Sequence, residues 1–243
     1  MNLDTTTTRA NRNVVLLDLD GTLTASHPGI LASVVKVFEE LDLPVPDEAA
    51  LRRFIGPAIS VSLRRNHVPE DQIERGVRIY RHYYADISAF EDPSHPGTLV
   101  PGRLYASVFP GIIDQLDEMR QLGFTLAVAT CKPEYQAIPV CEYFGLRDHL
   151  DAVYGASVDD SRATKDKVIA YAFEGLGFSS DRGDHALMVG DRWTDADGAR
   201  EKGLDCLGCG WGYAEPGELK DHGAYKVIDR VDQLADTVKE YFA

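Results

Sequence analysis

The chain has 243 residues, of which 44% are hydrophobic and 26% charged, and its formal net charge is −14. That length allows one large domain or two small ones, with enough chain to bury a sizeable core. The acidic balance excludes a nucleic-acid backbone as partner and disfavours an anionic membrane surface, but it leaves an anionic small substrate open, because a bound metal inverts charge locally.

The start, MNLDTTTTRANRN, is polar and lacks the apolar stretch of a secretory signal. No run approaches the ~18 apolar residues of a membrane span. Residues 1–12 are expected to form a flexible tail, and the protein is expected to be cytoplasmic. The four cysteines, Cys131, Cys141, Cys206 and Cys209, are then expected to be reduced thiols. Cys206-Leu-Gly-Cys209 is a lone pair with no second pair to complete a zinc site, and it reads as incidental.

Val14–Leu17 reads as a buried strand that runs straight into Asp18-Leu-Asp20-Gly21. Two carboxylates two residues apart on extended chain lean the same way, and Gly21 permits a sharp turn. An Asp-Gly turn alone is common, so the pair gains meaning only from polar residues at other strand ends.

From about residue 26 to 91 no convincing strand appears. Pro28 suits the first turn of a helix carrying Ile30, Leu31, Val34, Val35, Phe38 and Leu41. VPDEAALRRF starts a second helix, Pro57–Asn66 a third, and Pro69–Ile87 a long fourth with Ile73, Val77, Tyr80, Tyr84 and Ile87 at helical spacing. Residues 91–102, EDPSHPGTLVPG, hold three prolines and two glycines and read as an irregular return segment extending to about 104. Residues 26–104 are therefore expected to be an inserted helical cap on a core made of 13–25 and 105–243.

Beyond the insert, Leu126–Thr130, Ala152–Tyr154, Ala186–Val189 and Cys206–Leu207 read as buried strands. Helical faces separate them: Ile112, Ile113, Leu116, Met119 and Leu122, then Val168, Ile169, Ala172 and Leu176. This alternation predicts an α/β fold with a doubly wound, Rossmann-like parallel sheet, whose chemistry sits at the carboxyl ends of the strands. Three strand ends and one helix start then stand out. Thr130 ends one strand. Lys165 shares the inward stripe of its helix with Val168, Ile169, Ala172 and Leu176, whereas Lys167 points elsewhere. Asp191 follows Gly190 at a third strand end, and Asp195 comes four residues later.

An apolar strand running into Asp-x-Asp-Gly-Thr-Leu-Thr, then Thr130, then Lys165-x-x-Val-Ile, then Gly190-Asp191-x-x-x-Asp195, resembles the haloacid dehalogenase superfamily of phosphotransferases. The motifs come in that family's order and span residues 14–198. The resemblance implies that Asp18 attacks phosphorus and forms an aspartyl-phosphate, and that Asp20 protonates the leaving oxygen and later takes a proton from water. It also implies that Asp18, the Asp20 backbone carbonyl, Asp191 and Asp195 hold Mg²⁺, and that Thr130 and Lys165 position the phosphoryl oxygens. Charge agrees: four carboxylates against one lysine leave the pocket negative even with a divalent cation, before any phosphate arrives. A metal is therefore expected, with one carboxyl protonated in the first step.

The helical insert resembles the mobile lid of phosphoglycolate phosphatases and of bacterial 5′-nucleotidase-like phosphatases, and would close over the site to exclude water. Gly21 and Cys131 are expected to line the phosphate pocket, and Arg53 to meet a second anionic group on the substrate. Trp193 is expected near the site mouth, and Trp211 and Tyr213 to pack under a loop. The expected function is a Mg²⁺-dependent phosphatase of small phosphorylated metabolites, similar to phosphoglycolate phosphatase. The alternatives are a 5′-nucleotidase, a sugar phosphomutase and a non-enzymatic aspartyl-phosphate signalling module.

Overall fold

The computed structural model describes residues 11–55, 59–159 and 161–243. Most of the expected tail, and the Pro57 start of the expected third helix, lie outside the described residues. The chain opens with β1 (Asn13–Leu17) and β2 (Thr24–Ala25), followed by four helices, α1 (His27–Glu40), α2 (Glu48–Arg52), α3 (Ile59–Arg65) and α4 (Glu70–Arg81). Three short strands, β3 (Phe90–Glu91), β4 (Leu99–Val100) and β5 (Ser107–Val108), return it to the core. Strands and helices then alternate: α5 (Ile112–Gln121), β6 (Thr125–Pro133), α6 (Glu134–Tyr143), β7 (Ala152–Ala156) and α7 (Lys165–Leu176). The second half comprises β8 (His185–Gly190), α8 (Trp193–Glu201), β9 (Asp205–Cys209), α9 (Glu218–Asp221), β10 (Lys226–Ile228) and α10 (Leu234–Phe242).

Six strands form one parallel sheet in the order β10-β9-β8-β1-β6-β7. Leu17 at the end of β1 pairs with Val189 of β8 on one side and Val128 of β6 on the other. The chain leaves β1 toward β6 and β7 and later returns to β8, so β1 is where the direction of winding switches. A crevice opens at the carboxyl ends of the strands at such a point. Alternation along β1 sends Val15 and Leu17 into one buried cluster with Leu116 and Met119, and Val14 and Leu16 into the opposite cluster with Val168 and Ile169. Both faces are covered, which is why these strands read as continuous apolar runs.

The helices after β2 have their own small core of Val34, Val37, Phe38, Leu41, Phe54, Leu63, Val68, Ile73 and Ile79. The buried stripe of α1 is rotated from the expected one: Gly29, Ser33, Val34, Val37 and Phe38 point inward. Gly29 explains the rotation, because a Cβ there would sit 1.7 Å from the Gly102 carbonyl oxygen, so α1 packs backbone to backbone against the return segment. The fourth expected helix is α-helical only to Arg81, and a π-helical turn spans His82–Asp86. That turn places Tyr84 in a buried position against the core.

Residues 91–104 are not irregular throughout, contrary to the expectation from their prolines and glycines. β3 and β4 pair as an antiparallel hairpin, and a short helical turn covers Gly102–Leu104. Asp92 organises the hairpin tip, accepting from the Ser94 amide at 2.8 Å and meeting His95 Nδ1 at 2.7 Å, with Tyr143 of α6 donating to the same carboxylate. The prolines and glycines occupy the tip and the exit, leaving the paired backbone groups free. β10 is silent in the sequence because three residues, only one of them fully buried, carry no periodic signal.

Candidate active site

The sheet delivers its polar residues to one place. Asp18 continues β1, and its amide donates to the Val189 carbonyl at 2.9 Å, which ties it to β8. Gly21 turns the chain with φ +89°, and a Cβ there would fall 2.2 Å from Asp191 Oδ2. Both the left-handed backbone and the space require glycine. Thr22 then donates its hydroxyl to Asp191 Oδ1 at 3.0 Å, and the Tyr213 amide donates to Oδ2 at 2.8 Å. Asp195 sits in the first turn of α8, where its Oδ2 accepts from the Arg192 amide at 3.0 Å.

The carboxylates of Asp18, Asp191 and Asp195 offer oxygens that all lie within 4.8 Å of one another, and all three residues are buried. Lys165, at the start of α7 and buried, spans two of them. Its Nζ is 2.9 Å from Asp18 Oδ1 and 2.7 Å from Asp195 Oδ1, and it donates to the Ala129 carbonyl at 2.8 Å. Burial opposes the charge on Lys165, but the flanking Asp18 and Asp195 outweigh it and hold its pKa above the usual lysine value. Burial raises Asp191 well above the ordinary carboxyl range, reinforced by Asp195 and Asp18. Burial likewise lifts Asp195 to about 6, against the pull of Lys165.

Asp18 Oδ1 and Asp195 Oδ1 are buried, and among the described residues the Lys165 ammonium is the only cation within ion-pair distance of either. Three buried carboxylates sharing one ammonium are a hard-oxygen donor set that fits a divalent cation such as Mg²⁺. One lysine cannot neutralise three carboxyls.

Asp20 stands apart from this cluster. Its carboxylate meets Lys132 Nζ at 2.5 Å, and the same ammonium donates to the Tyr84 hydroxyl at 2.6 Å. Burial holds Tyr84 well above the ordinary tyrosine pKa, with nearby Asp20 adding to the effect, so its hydroxyl is neutral. Sequence reasoning misses Lys132 although a signal exists. Thr130 and Lys132 are two apart at the end of one strand, the same spacing that puts Asp18 and Asp20 on one side. Thr130 is buried, and its Oγ1 accepts from the Lys132 amide at 3.2 Å. Tyr84 is visible in the sequence only as one of a helical row of apolar positions.

Cys131 is exposed between Thr130 and Lys132, and all four cysteines are free thiols. Arg53, just past α2, is not among the contacts of the carboxylate cluster; it lines a neighbouring cavity. Trp193 is exposed on the first turn of α8 and lies against His222, with ring centres 5.5 Å apart. Trp211 donates its indole N–H to the Thr22 carbonyl at 3.1 Å, bracing the turn after β1. The Tyr213 hydroxyl accepts from the His27 amide at 3.0 Å, linking the segment after β9 to the start of α1.

A family profile described as haloacid dehalogenase-like hydrolase matches residues 15–209. A 5′-nucleotidase of Pseudomonas aeruginosa is 32% identical over 209 residues, covering 86% of this chain and 87% of that protein. The tyrosine-protein kinase PtkA of Mycobacterium tuberculosis is 36% identical over 200 residues, covering 82% of this chain and 62% of that protein. A phosphoglycolate phosphatase of Mesorhizobium japonicum is 26% identical over 236 residues, covering 95% and 96%. The crystal structure of a predicted phosphatase from Clostridium acetobutylicum superposes with a TM-score of 0.79 at 34% identity, covering 95% of this chain and all of that one.

Proposed function

Since the chain belongs to the haloacid dehalogenase-like hydrolases, we propose that it is a Mg²⁺-dependent phosphatase of small phosphorylated metabolites, similar to phosphoglycolate phosphatase. The observation that carries this reading is the convergence of Asp18, Asp191 and Asp195 at the switch point of the sheet, with Lys165 bridging Asp18 and Asp195.

Asp18 is the nucleophile in this reading. Its carboxylate attacks phosphorus in line, the P–O bond to the leaving alcohol breaks, and an aspartyl-phosphate forms. Asp20 gives a proton to the leaving oxygen, then removes one from the water that cleaves the acyl phosphate. Lys132 fixes the Asp20 carboxylate through its ammonium. Lys165 and Thr130 hold the phosphoryl oxygens, and Lys165 also offsets charge on Asp18 before attack. Asp18, the Asp20 carbonyl, Asp191 and Asp195 would hold the Mg²⁺, which supplies charge neutralisation between the nucleophile and the incoming phosphate. The helical cap supplies Tyr84 to the site and sheds bulk water when it is seated.

A second reading, a 5′-nucleotidase, is favoured by the Pseudomonas relative, which is more similar in sequence than the Mesorhizobium phosphatase. Phosphate release from a panel of esters, with MgCl₂ and with EDTA, tests both. Turnover that needs Mg²⁺ and vanishes in Asp18→Asn is expected, with phosphoglycolate ahead of nucleoside 5′-monophosphates. Release that survives EDTA or Asp18→Asn removes the assigned mechanism.

A further inference from the structure

The turn between β8 and α8 carries Asp191 and Asp195, and an arginine stands at the N-cap of the helix between them. The backbone of Arg192 is extended there, and its side chain has no oxygen to accept from the free amides of the first turn. Two carboxylates accept from this turn instead. Asp195 takes the Arg192 amide, and Glu218, the first residue of α9, takes the Trp193 amide at 2.9 Å. A negative charge at this end of α8 is also favourable against the helix dipole.

The same Glu218 Oε1 accepts from Arg192 Nε at 2.8 Å, and its Oε2 accepts from the Glu215 amide at 3.1 Å. The Glu218 side chain is 10% exposed and that of Arg192 19%, so water screens the pair little. Burial opposes the charge on Glu218, but the donors from Arg192, Trp193 and Glu215 outweigh it and hold its pKa below the usual glutamate value. One carboxylate, 25 residues further along the chain than Trp193, thus fixes both the backbone of the turn and the Arg192 side chain.

Glu218 is itself held against the sheet. Its neighbour Leu219 is buried on β9, so close that a Cβ at Gly208 would lie 2.9 Å from Leu219 Cδ1. Gly208 pairs with Gly190, the residue before Asp191. The connection from β9 to α9 therefore grips the turn at two points. At Asp191 the Tyr213 amide donates to the carboxylate, and Gly212 approaches so closely that a Cβ would lie 2.2 Å from the Asp191 Cβ. At Arg192 and Trp193 the grip is Glu218. The guanidinium so held lines, with Arg53 and Arg65, a cavity of about 370 Å³, and its Nη1 donates to the Ile55 carbonyl of the cap at 3.1 Å.

We propose that Glu218 is a positioning residue for the metal-binding turn: by holding Arg192 and Trp193 it sets the directions in which Asp191 and Asp195 present their carboxylates, and with them the affinity for Mg²⁺. This rests on the reading of Asp18, Asp191 and Asp195 as ligands of the metal. Groups that orient metal ligands without touching the metal change affinity by about ten- to a hundredfold when they are lost.

The test is calorimetric titration of the metal-stripped, full-length protein with MgCl₂. Glu218→Ala weakens Mg²⁺ binding by about tenfold or more, and Glu218→Gln, which keeps an oxygen for the Trp193 amide, weakens it less. Arg200→Ala serves as the control, because Arg200 ties α8 to the His222 carbonyl after α9 without touching the turn; it leaves Mg²⁺ affinity unchanged. In phosphate release, the Mg²⁺ concentration for half-maximal turnover rises in Glu218→Ala, while kcat at saturating Mg²⁺ falls less. Unchanged Mg²⁺ affinity in Glu218→Ala, or equal weakening in Arg200→Ala, overturns the proposal. If Glu218→Ala does not fold, Glu218→Gln decides, and wild-type affinity there overturns it as well. A wild-type protein that binds no Mg²⁺ overturns the metal reading and the role of Glu218 together. Mg²⁺ binding that depends on Glu218, without release of phosphate from any ester, refutes the reaction and leaves the positioning role standing.

Discussion

Lys132→Met breaks the contact that joins the helical cap to the proposed acid–base residue. Methionine keeps most of the aliphatic stem, so the perturbation is the loss of the ammonium. The Lys132 side chain is 4% exposed and that of Asp20 26%. Removing one partner of a fully buried pair costs about 3–5 kcal/mol; water reaches Asp20 in part, so about 2 kcal/mol is expected here. The Tyr84 hydroxyl, buried and left without its donor, adds about 1 kcal/mol. At about 2–4 °C per kcal/mol for a chain of this size, the melting temperature falls by about 6–12 °C. Tyr84→Phe removes only the hydroxyl and lowers it by about 2–4 °C.

The double variant tests the coupling. If Lys132 holds Tyr84 and Asp20 together, the two losses are not additive, and the cycle returns a coupling of about 1 kcal/mol. Turnover separates positioning from packing. With Asp20 no longer held, kcat falls by about ten- to a hundredfold while KM changes less, because a small misplacement of a proton-transfer group acts on the transition state. Lys132→Arg, which restores the charge, recovers part of kcat. Thermal melts of the four proteins and steady-state phosphate release decide the matter. Additive melting shifts with unchanged kcat in Lys132→Met would refute the reasoning.

Burial and mutual repulsion raise Asp191, and raise Asp195 to about 6. A carboxyl whose folded pKa lies above its unfolded value binds more protons when folded, so its contribution to stability declines as pH rises from about 4 through about 6. The metal-free protein is accordingly expected to lose stability over that window, and Mg²⁺ to raise the melting temperature more at pH 7.5 than at pH 5; scanning calorimetry with and without EDTA reads this, and an equal Mg²⁺ effect at both pH values contradicts it. Gly21→Ala forces a Cβ onto Asp191 at positive φ; a cost of about 1–3 kcal/mol and a raised Mg²⁺ requirement for half-maximal turnover are expected, and unchanged Mg²⁺ dependence would argue that Asp191 does not hold the metal. Asp92 is the opposite electrostatic case. Burial opposes its charge, but hydrogen bonds from Tyr143 and His95 outweigh that and hold its pKa at about 2. Its stabilisation is present above about pH 4 and lost as pH falls toward 2, amounting to about 1–2 kcal/mol; Tyr143→Phe should flatten the acid limb of the melting-temperature profile, and a profile identical to wild type would show that the hairpin tip contributes nothing.

The central strands are readable from the sequence because both faces of the sheet are covered, which makes Val14–Leu17 and Ala186–Val189 continuous apolar runs. Their ends are readable because a polar residue there has nowhere to go but the crevice. Asp18, Thr130 and Asp191 are found in that way, and Lys165 by its place on the inward stripe of α7. Lys132 is lost because Thr130 reads as the end of its strand, whereas β6 runs on to Pro133 through an irregular step in its pairing with β7. The hairpin at residues 90–100 is lost for a related reason: pairing uses backbone groups, and proline and glycine content reports only on the tip between them.

The cap is harder to read because its contacts to the core depend on irregular backbone. Tyr84 reaches Lys132 from a π-helical turn, and helical periodicity cannot place a residue there. Arg53, Arg65 and Arg192 come from three segments whose proximity no spacing encodes. Taken singly, each arginine is a solvated surface charge on an acidic protein. Only the fold places them around one cavity beside Asp191, and it does so from the same crevice logic that locates the carboxylates. The strand end that carries Asp191 also carries Arg192 one residue later, so the residue proposed to hold the metal and the residue bridging to the cap share a single turn. A substitution that shifts this turn should therefore alter Mg²⁺ affinity and the Arg192 contact to the Ile55 carbonyl together, whereas changes at Arg53 or Arg65 should leave Mg²⁺ affinity unchanged.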